Sequence, residues 1–150
     1  MLKRILVIAI FILSICSTCF AKDVPMIYVE TDENHKCFLR LDNALHVELN
    51  DDDKREIKTD YAFKYEILII SDIGPYGFEI LLASYNNAID VNKIIYSNTY
   101  DNNLRLIKQN SHTESRWIFP KEGDVLNKFN IAFAKSVASG KIKMVPYNPM

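Results

Sequence analysis

The residues best placed for covalent chemistry are Cys37 and His35, two positions apart. A cysteine nucleophile needs a nearby base, and residues two apart on a strand project from the same face. The sequence offers no evident third group to orient the histidine, and the following Phe38 and Leu39 are typical of a packed thiol. We therefore assign no catalytic residue. A small cell-envelope hydrolase that uses this pair or two carboxylates is the alternative functional hypothesis.

The sequence lacks the usual motifs of metal and cofactor sites. The three histidines are scattered, and neither His-Glu-x-x-His nor Cys-x-x-Cys occurs. A calcium loop beginning at Asp51 would need glycine and glutamate where the chain has Glu56 and Ala62. The sequence also lacks the Gly-x-Ser-x-Gly elbow and a glycine-rich phosphate loop. We predict no metal and no cofactor, and we interpret residues 50–56 as a solvated loop.

Three tyrosines are the candidate binding residues. We place Tyr76 at the tip of a turn over residues 74–77, and Tyr96 and Tyr100 on either side of a loop over residues 97–99. Exposed tyrosines beside asparagine and serine make good contacts with proteins and sugars. The alternative is that these rings pack at the ends of the sheet with their hydroxyl groups in water.

The start of the chain resembles an export signal. Lys3 and Arg4 precede an apolar run and then small residues that end at Ala21. We predict a secretory signal peptide over residues 1–21 and a single β-rich domain over residues 22–150, in the periplasm or secreted by a bacterium. A lipoprotein anchored at Cys16 is the minor alternative.

Removal of this leader changes the charge and the cysteine content. It takes two of the 18 basic residues and none of the 19 acidic ones, which leaves a net charge of about −3. A weakly acidic surface argues against nucleic acid as a partner. Cys37 would be the single remaining cysteine, so a disulfide framework is excluded. We expect no transmembrane segment after the leader is removed.

Short apolar or alternating runs at hairpin spacing predict the strands that position these residues. Asp42 and Asn43 lie between two such runs and predict a turn. The runs do not alternate with helices, which favours an antiparallel sheet or a small OB-like barrel of seven to eight strands. The predicted strands are residues 26–30, 37–41, 45–49, 65–71, 78–84, 91–96, 104–109 and 116–119.

The clearest element is a helix near the C-terminus. Asp124 is the predicted N-cap, where its carboxylate can accept a hydrogen bond from a first-turn amide. Gly140 predicts an end at about Ser139, and Ile131 falls on the outer face. A last edge strand follows over residues 142–147. The apolar stripe that must pack on the sheet consists of Leu126, Phe129, Phe133 and Val137.

The same segment carries a family resemblance. The residues that carry it are 117–119, Phe129, Phe133, Ala134, 138–141 and 142–144. They resemble the ending of small exported bacterial proteins of the subtilase-cytotoxin B-subunit type. The resemblance covers the last quarter of the chain and implies a helix that closes over a small OB-like barrel. It also implies glycan binding as a toxin subunit, and no binding residue is transferred with it.

These observations favour a binding module over an enzyme. The sequence predicts an exported bacterial protein, mostly β in the α+β class, that recognises a protein or a glycan through loop aromatics.

Overall fold

The computed structural model describes residues 25–31 and 35–142. Within these residues, six strands form one antiparallel sheet in sequence order, so that β1 and β6 are its edges. The predicted fold class, mostly β with an antiparallel sheet and a C-terminal helix, is confirmed, and the sheet is open. The elements are β1 (Met26–Val29), β2 (Lys36–Glu48), α1 (Asp51–Ile57), β3 (Tyr61–Ser71), β4 (Gly74–Tyr85), β5 (Ile89–Tyr100), β6 (Leu106–Ser111) and α2 (Val125–Ala138).

The hairpin predicted at Asp42 and Asn43 is a single strand. Both halves of β2 pair with β3, and the register shifts between Arg40 and Leu45. The Arg40 guanidinium binds the Asp42 carboxylate at 2.8 Å within this irregular stretch. Because β3 is long enough to pair with both runs, the polar residues mark a β-bulge instead of a turn.

The predicted loop over residues 50–56 is wrong, because helix α1 begins at Asp51. The Asn50 side chain accepts a hydrogen bond from the Asp53 amide at 2.9 Å and caps the helix. The Asp53 carboxylate is buried and accepts hydrogen bonds from Lys93 Nζ at 2.7 Å and Trp117 Nε1 at 2.9 Å. This acidic residue therefore fastens α1 to β5 and is not solvated.

The alternation of side chains along the strands produces two cores. We call the face covered by α2 the first face, and the face that carries α1 the second face. The first face holds the larger core, which includes Leu39, Tyr65, Ile67, Ile80, Leu82, Phe129 and Phe133. The second face holds a smaller core, which includes Leu49, Ile57, Ala62, Leu81, Ala83, Val91 and Trp117.

The prediction for helix α2 is largely confirmed. Phe129 and Phe133 are buried against the sheet, whereas Ile131 on the outer face is 46% exposed. Gly140 adopts a left-handed φ of 71° just after the helix ends. Asp124 is the N-cap, but its carboxylate accepts a hydrogen bond from the Lys121 amide at 2.8 Å instead of one in the first turn.

The remaining expectations concern the flanking segments. The strand predicted over residues 116–119 is reduced to one bridge between Ile118 and Asn92. The leader, its cysteines and all but the first residue of the last predicted strand lie outside the described residues. Among the residues that the structure describes, no helix combines the length and apolar character needed to cross a membrane.

Candidate functional site

The three candidate tyrosines lie within strands, not in loops, and on opposite faces of the sheet. Tyr76 in β4 is opposite Ile69, which contributes to the first-face core. Tyr96 in β5 is opposite Glu79 on the second face, and Tyr100 projects to that face as well. The structure therefore does not bring Tyr76 together with the other two. Their role in binding stays a prediction.

Tyr100 belongs to a cluster that we call the polar network. Its hydroxyl group donates a hydrogen bond to Glu66, whose side chain is fully buried in the second face. Asn98 Nδ2 donates to Glu66 Oε1 and Glu79 Oε1, each at 3.1 Å. Two carboxylates are thereby joined through one amide group. The polar network consists of Arg40, Lys64, Glu66, Glu79, Asn98, Tyr100 and Gln109.

Cations compensate both carboxylates of the polar network. Arg40 Nη1 lies 3.4 Å from Glu66 Oε2, and Lys64 Nζ lies 3.1 Å from Glu79 Oε2. Burial raises the pKa of the Tyr100 phenol well above its usual value, and the adjacent Glu66 carboxylate adds to the rise. The phenol therefore remains protonated and serves as a hydrogen-bond donor.

The carboxylates of the polar network are fully engaged by hydrogen bonds and ion pairs. Among the described residues, every buried side-chain nitrogen or oxygen atom has a hydrogen-bond partner. Gln109, in the exposed strand β6, donates a hydrogen bond from Nε2 to Glu79 Oε1 at 2.9 Å. Because both carboxylates are already engaged, the arrangement connects five neighbouring strands, β2 to β6, to one another.

An open cleft lies between α2 and the first face of the sheet. Its volume is about 520 Å³, which is within the range of small-molecule sites. Strands β2 to β5 form its floor, and one side of α2 forms its roof. The lining residues are His46, Thr59, Tyr61, Phe63, Leu82, Ala83, Ser84, Asp90, Asn130, Phe133, Ala134, Val137 and Ala138.

A row of rings, which we call the aromatic ladder, runs along this cleft. His46 lies between Tyr61 and Phe63, with ring centroids 5.2 Å and 5.1 Å away. Phe133 of α2 continues the row at 5.8 Å from Phe63 and stacks on Tyr65 at 5.1 Å. The aromatic ladder therefore connects the mouth of the cleft with the buried core.

Two amide side chains hold the inner end of the cleft. Asn130 Nδ2 donates to Asn92 Oδ1 at 2.8 Å, and Asn92 Nδ2 donates to Asn130 Oδ1 at 3.0 Å. The Tyr65 hydroxyl group also donates to Asn130 Oδ1, at 2.9 Å. Burial raises the pKa of the Tyr65 phenol well above its usual value, so it remains a neutral donor. These contacts fix α2 above the sheet.

The mouth of the cleft carries an acidic residue. Asp90 is exposed at the start of β5, directly opposite Ser84 in β4. Although His46, Ser84 and Asp90 all line the cleft, no hydrogen bond joins them in the described part of the chain. The three residue types of a hydrolytic triad are therefore present without the contacts that would activate a serine.

The Cys37 and His35 pair does not form a nucleophile and base. The Cys37 side chain is 1% exposed, and its thiol donates to the main-chain oxygen of His35 at 3.7 Å. Thr31 Oγ1 donates to the same sulfur at 3.7 Å. Within residues 25–31 and 35–142, the thiol thus contacts the histidine backbone and not its imidazole ring.

The cleft is the site that sequence reasoning missed. Alternation in β2 placed His46 on the face opposite Val47, so its orientation was foreseeable. Asn130 follows directly after Phe129 in α2, and nothing local indicated that its amide group is buried. The site depends on where the helix crosses the sheet, which no local pattern specifies.

The fold defines a mostly-β protein with an open six-stranded antiparallel sheet and a helix on each face within the described residues. No family model, curated protein or solved structure matches this chain. The resemblance to the subtilase-cytotoxin B-subunit type stays a prediction.

Proposed function

We propose that this chain is an exported binding module and that its binding site is the cleft beneath α2. The observation that carries the proposal is an open, mainly apolar space with a few polar groups, which is the usual composition of a ligand site. The proposal of export comes from the leader pattern of residues 1–21.

The walls of the cleft support binding because they are held in place before a ligand arrives. The Asn92 and Asn130 amide groups lock the helix, and the aromatic ladder supports the strands. A preformed site loses little conformational entropy on binding. An apolar side chain of a partner protein and the face of a sugar ring are both compatible with such a wall.

The experiment fills the cleft without altering the core. Ala134 lines the cleft but is exposed, so Ala134→Trp places an indole in the opening. Ile131→Trp adds a similar ring on the outer face of the same helix and is the matched control. We expect Ala134→Trp to reduce capture of the partner at least tenfold, from envelope extract or on a glycan panel, while the control binds as wild type.

Capture that is equal for wild type and Ala134→Trp would contradict the proposed site. In that case Tyr96→Ala tests the second-face alternative, because this half-buried ring lies beside the polar network. Melting temperatures of all variants must agree within a few degrees, so that loss of capture is not loss of folding.

A further inference from the structure

The chemistry of the cleft walls narrows the class of ligand. The rings of the aromatic ladder contact one another in the order Tyr61, His46, Phe63 and Phe133. Tyr65 then stacks on Phe133 in the core. Small side chains of α2, Ala134 and Ala138, leave the adjacent space free. A wall of rings beside small residues favours a planar aromatic group, because offset and edge-to-face contacts with rings add to simple apolar burial.

The mouth of the cleft carries negative charge. Asp90 lines the cleft, is exposed, and forms no ion pair within the described residues. Burial is the main cause of the raised pKa of Tyr65, and the Asp90 charge adds to it. Neither lysine nor arginine occurs among the lining residues, and His46 and Tyr61 are the other titratable groups on the lining. A positively charged group is therefore favoured at the mouth, and a carboxylate is disfavoured.

The inner end offers a neutral hydrogen-bonding surface. One proton of Asn130 Nδ2 is donated to Asn92, and an amide nitrogen carries two. The side chain is buried and lines the cleft. The polar groups inside are thus uncharged, and the charged residue is at the opening, so an amphipathic ligand has one preferred orientation.

We propose that the cleft takes a small aromatic amine, with its ring along the aromatic ladder and its protonated amino group at Asp90. This inference rests on the proposed function and specifies the ligand class for the same site. The ring would contact Phe63 and Phe133 beneath α2. The ammonium group would remain at the solvent-facing end, where its desolvation cost is small.

The test compares three probes by titration calorimetry on the purified protein at pH 7. The probes are 2-naphthylmethylamine, its fully saturated decalin counterpart, and 2-naphthoate. We expect the aromatic amine to bind about three- to tenfold more tightly than the saturated amine, because ring contacts contribute roughly that much. We expect 2-naphthoate to bind more weakly than 2-naphthylmethylamine because its charge is repelled by Asp90.

Two variants locate the binding. Asp90→Asn should weaken binding of the aromatic amine about three- to fivefold, which corresponds to one exposed charge pair. Asp72→Asn is the matched control, because Asp72 is also exposed but does not line the cleft. Ala134→Trp should abolish binding of the amine.

Equal affinity for the saturated and aromatic amines would overturn the inference, and so would an affinity unchanged by Asp90→Asn. Absence of binding by all three probes would also overturn it. The proposed function is judged separately by the capture experiment with Ala134→Trp. A cleft that captures a partner but rejects aromatic amines would therefore refute the ligand class and leave the site intact.

Discussion

The two faces of the sheet each bury a tyrosine with a strongly raised pKa, yet the surroundings of the two phenols differ. Tyr100 on the second face donates to the Glu66 carboxylate within a network of charged groups. Tyr65 on the first face donates to the neutral amide of Asn130, beside an open cleft. The Glu66 carboxylate is surrounded by cations and hydrogen-bond donors, whereas Asn130 lines an open cleft.

The difference follows from the cost of burying charge. A buried carboxylate is tolerated only when cations and hydrogen-bond donors surround it. Glu66 accordingly pairs with Arg40 and accepts hydrogen bonds from Asn98 and Tyr100. Neutral amides need fewer partners, and the Asn92 and Asn130 pair largely satisfies itself. Space can therefore remain beside the amides, where the cleft lies.

Removal of the Glu66 carboxylate should have the largest effect. Glu66→Ala leaves Arg40 with less compensation for its charge, and Tyr100 and Asn98 lose their shared acceptor. We expect the free energy of unfolding to fall by about 3–5 kcal/mol, as for other broken buried ion pairs. Urea denaturation measures the change.

Glu56→Ala provides the control for this prediction. Glu56 is exposed on α1, so its loss should change stability by less than about 0.5 kcal/mol. Similar losses for the two variants would show that the polar network does not hold the second face together, and the contrast between the faces would disappear.

Gly77→Ala should have an intermediate effect through the same carboxylate. A Cβ atom at residue 77 would collide with Glu66 Oε1 and lie 3.2 Å from the Ile67 carbonyl oxygen. Because hydrogen bonds fix that carboxylate, we expect a loss of about 1–3 kcal/mol in urea denaturation.

The double variant Glu66→Ala/Gly77→Ala tests whether the cost of Gly77→Ala depends on the Glu66 carboxylate. Without the carboxylate, Gly77→Ala should cost clearly less than it does in the wild type, so the two effects should be non-additive. Additive effects would mean that the carboxylate can move away from Gly77 freely, contrary to a network fixed by its hydrogen bonds.

The smallest effect at neutral pH is expected at Tyr65 on the first face. Tyr65→Phe removes the hydrogen bond to Asn130, which should cost about 1 kcal/mol. The raised pKa means that the folded protein holds the phenolic proton more tightly than the unfolded chain. The contribution of this phenol to the free energy of unfolding is therefore fully present below the ordinary tyrosine pKa of about 10. It is lost as the pH rises above that value.

Urea denaturation from pH 7 to pH 11 tests the sign. The wild type should lose up to about 1.4 kcal/mol per pH unit more than Tyr65→Phe above pH 10, so their difference should shrink and then reverse. A constant difference across this range would mean that the Tyr65 phenol ionises as readily in the folded protein as in the unfolded chain.

The sequence by itself determined most of the regular elements. The stripe of α2, its end before Gly140 and the alternation in most strands depend on neighbours within a few residues, so periodicity was enough to predict them. The prediction failed where local signals were ambiguous. Asp42 and Asn43 indicated a turn but lie in a bulge, and the acidic run after Asn50 indicated a loop but is a capped helix.

Only the tertiary structure decided which side chains meet. Tyr65 and Asn130 are 65 residues apart, Trp117 and Asp53 are 64 apart, and Tyr100 and Glu66 are 34 apart. Such contacts depend on strand register and on the path of α2 across the sheet, and a one-residue shift in register would move each strand side chain to the opposite face. The cleft and the polar network are products of that register, which no short stretch of sequence contains.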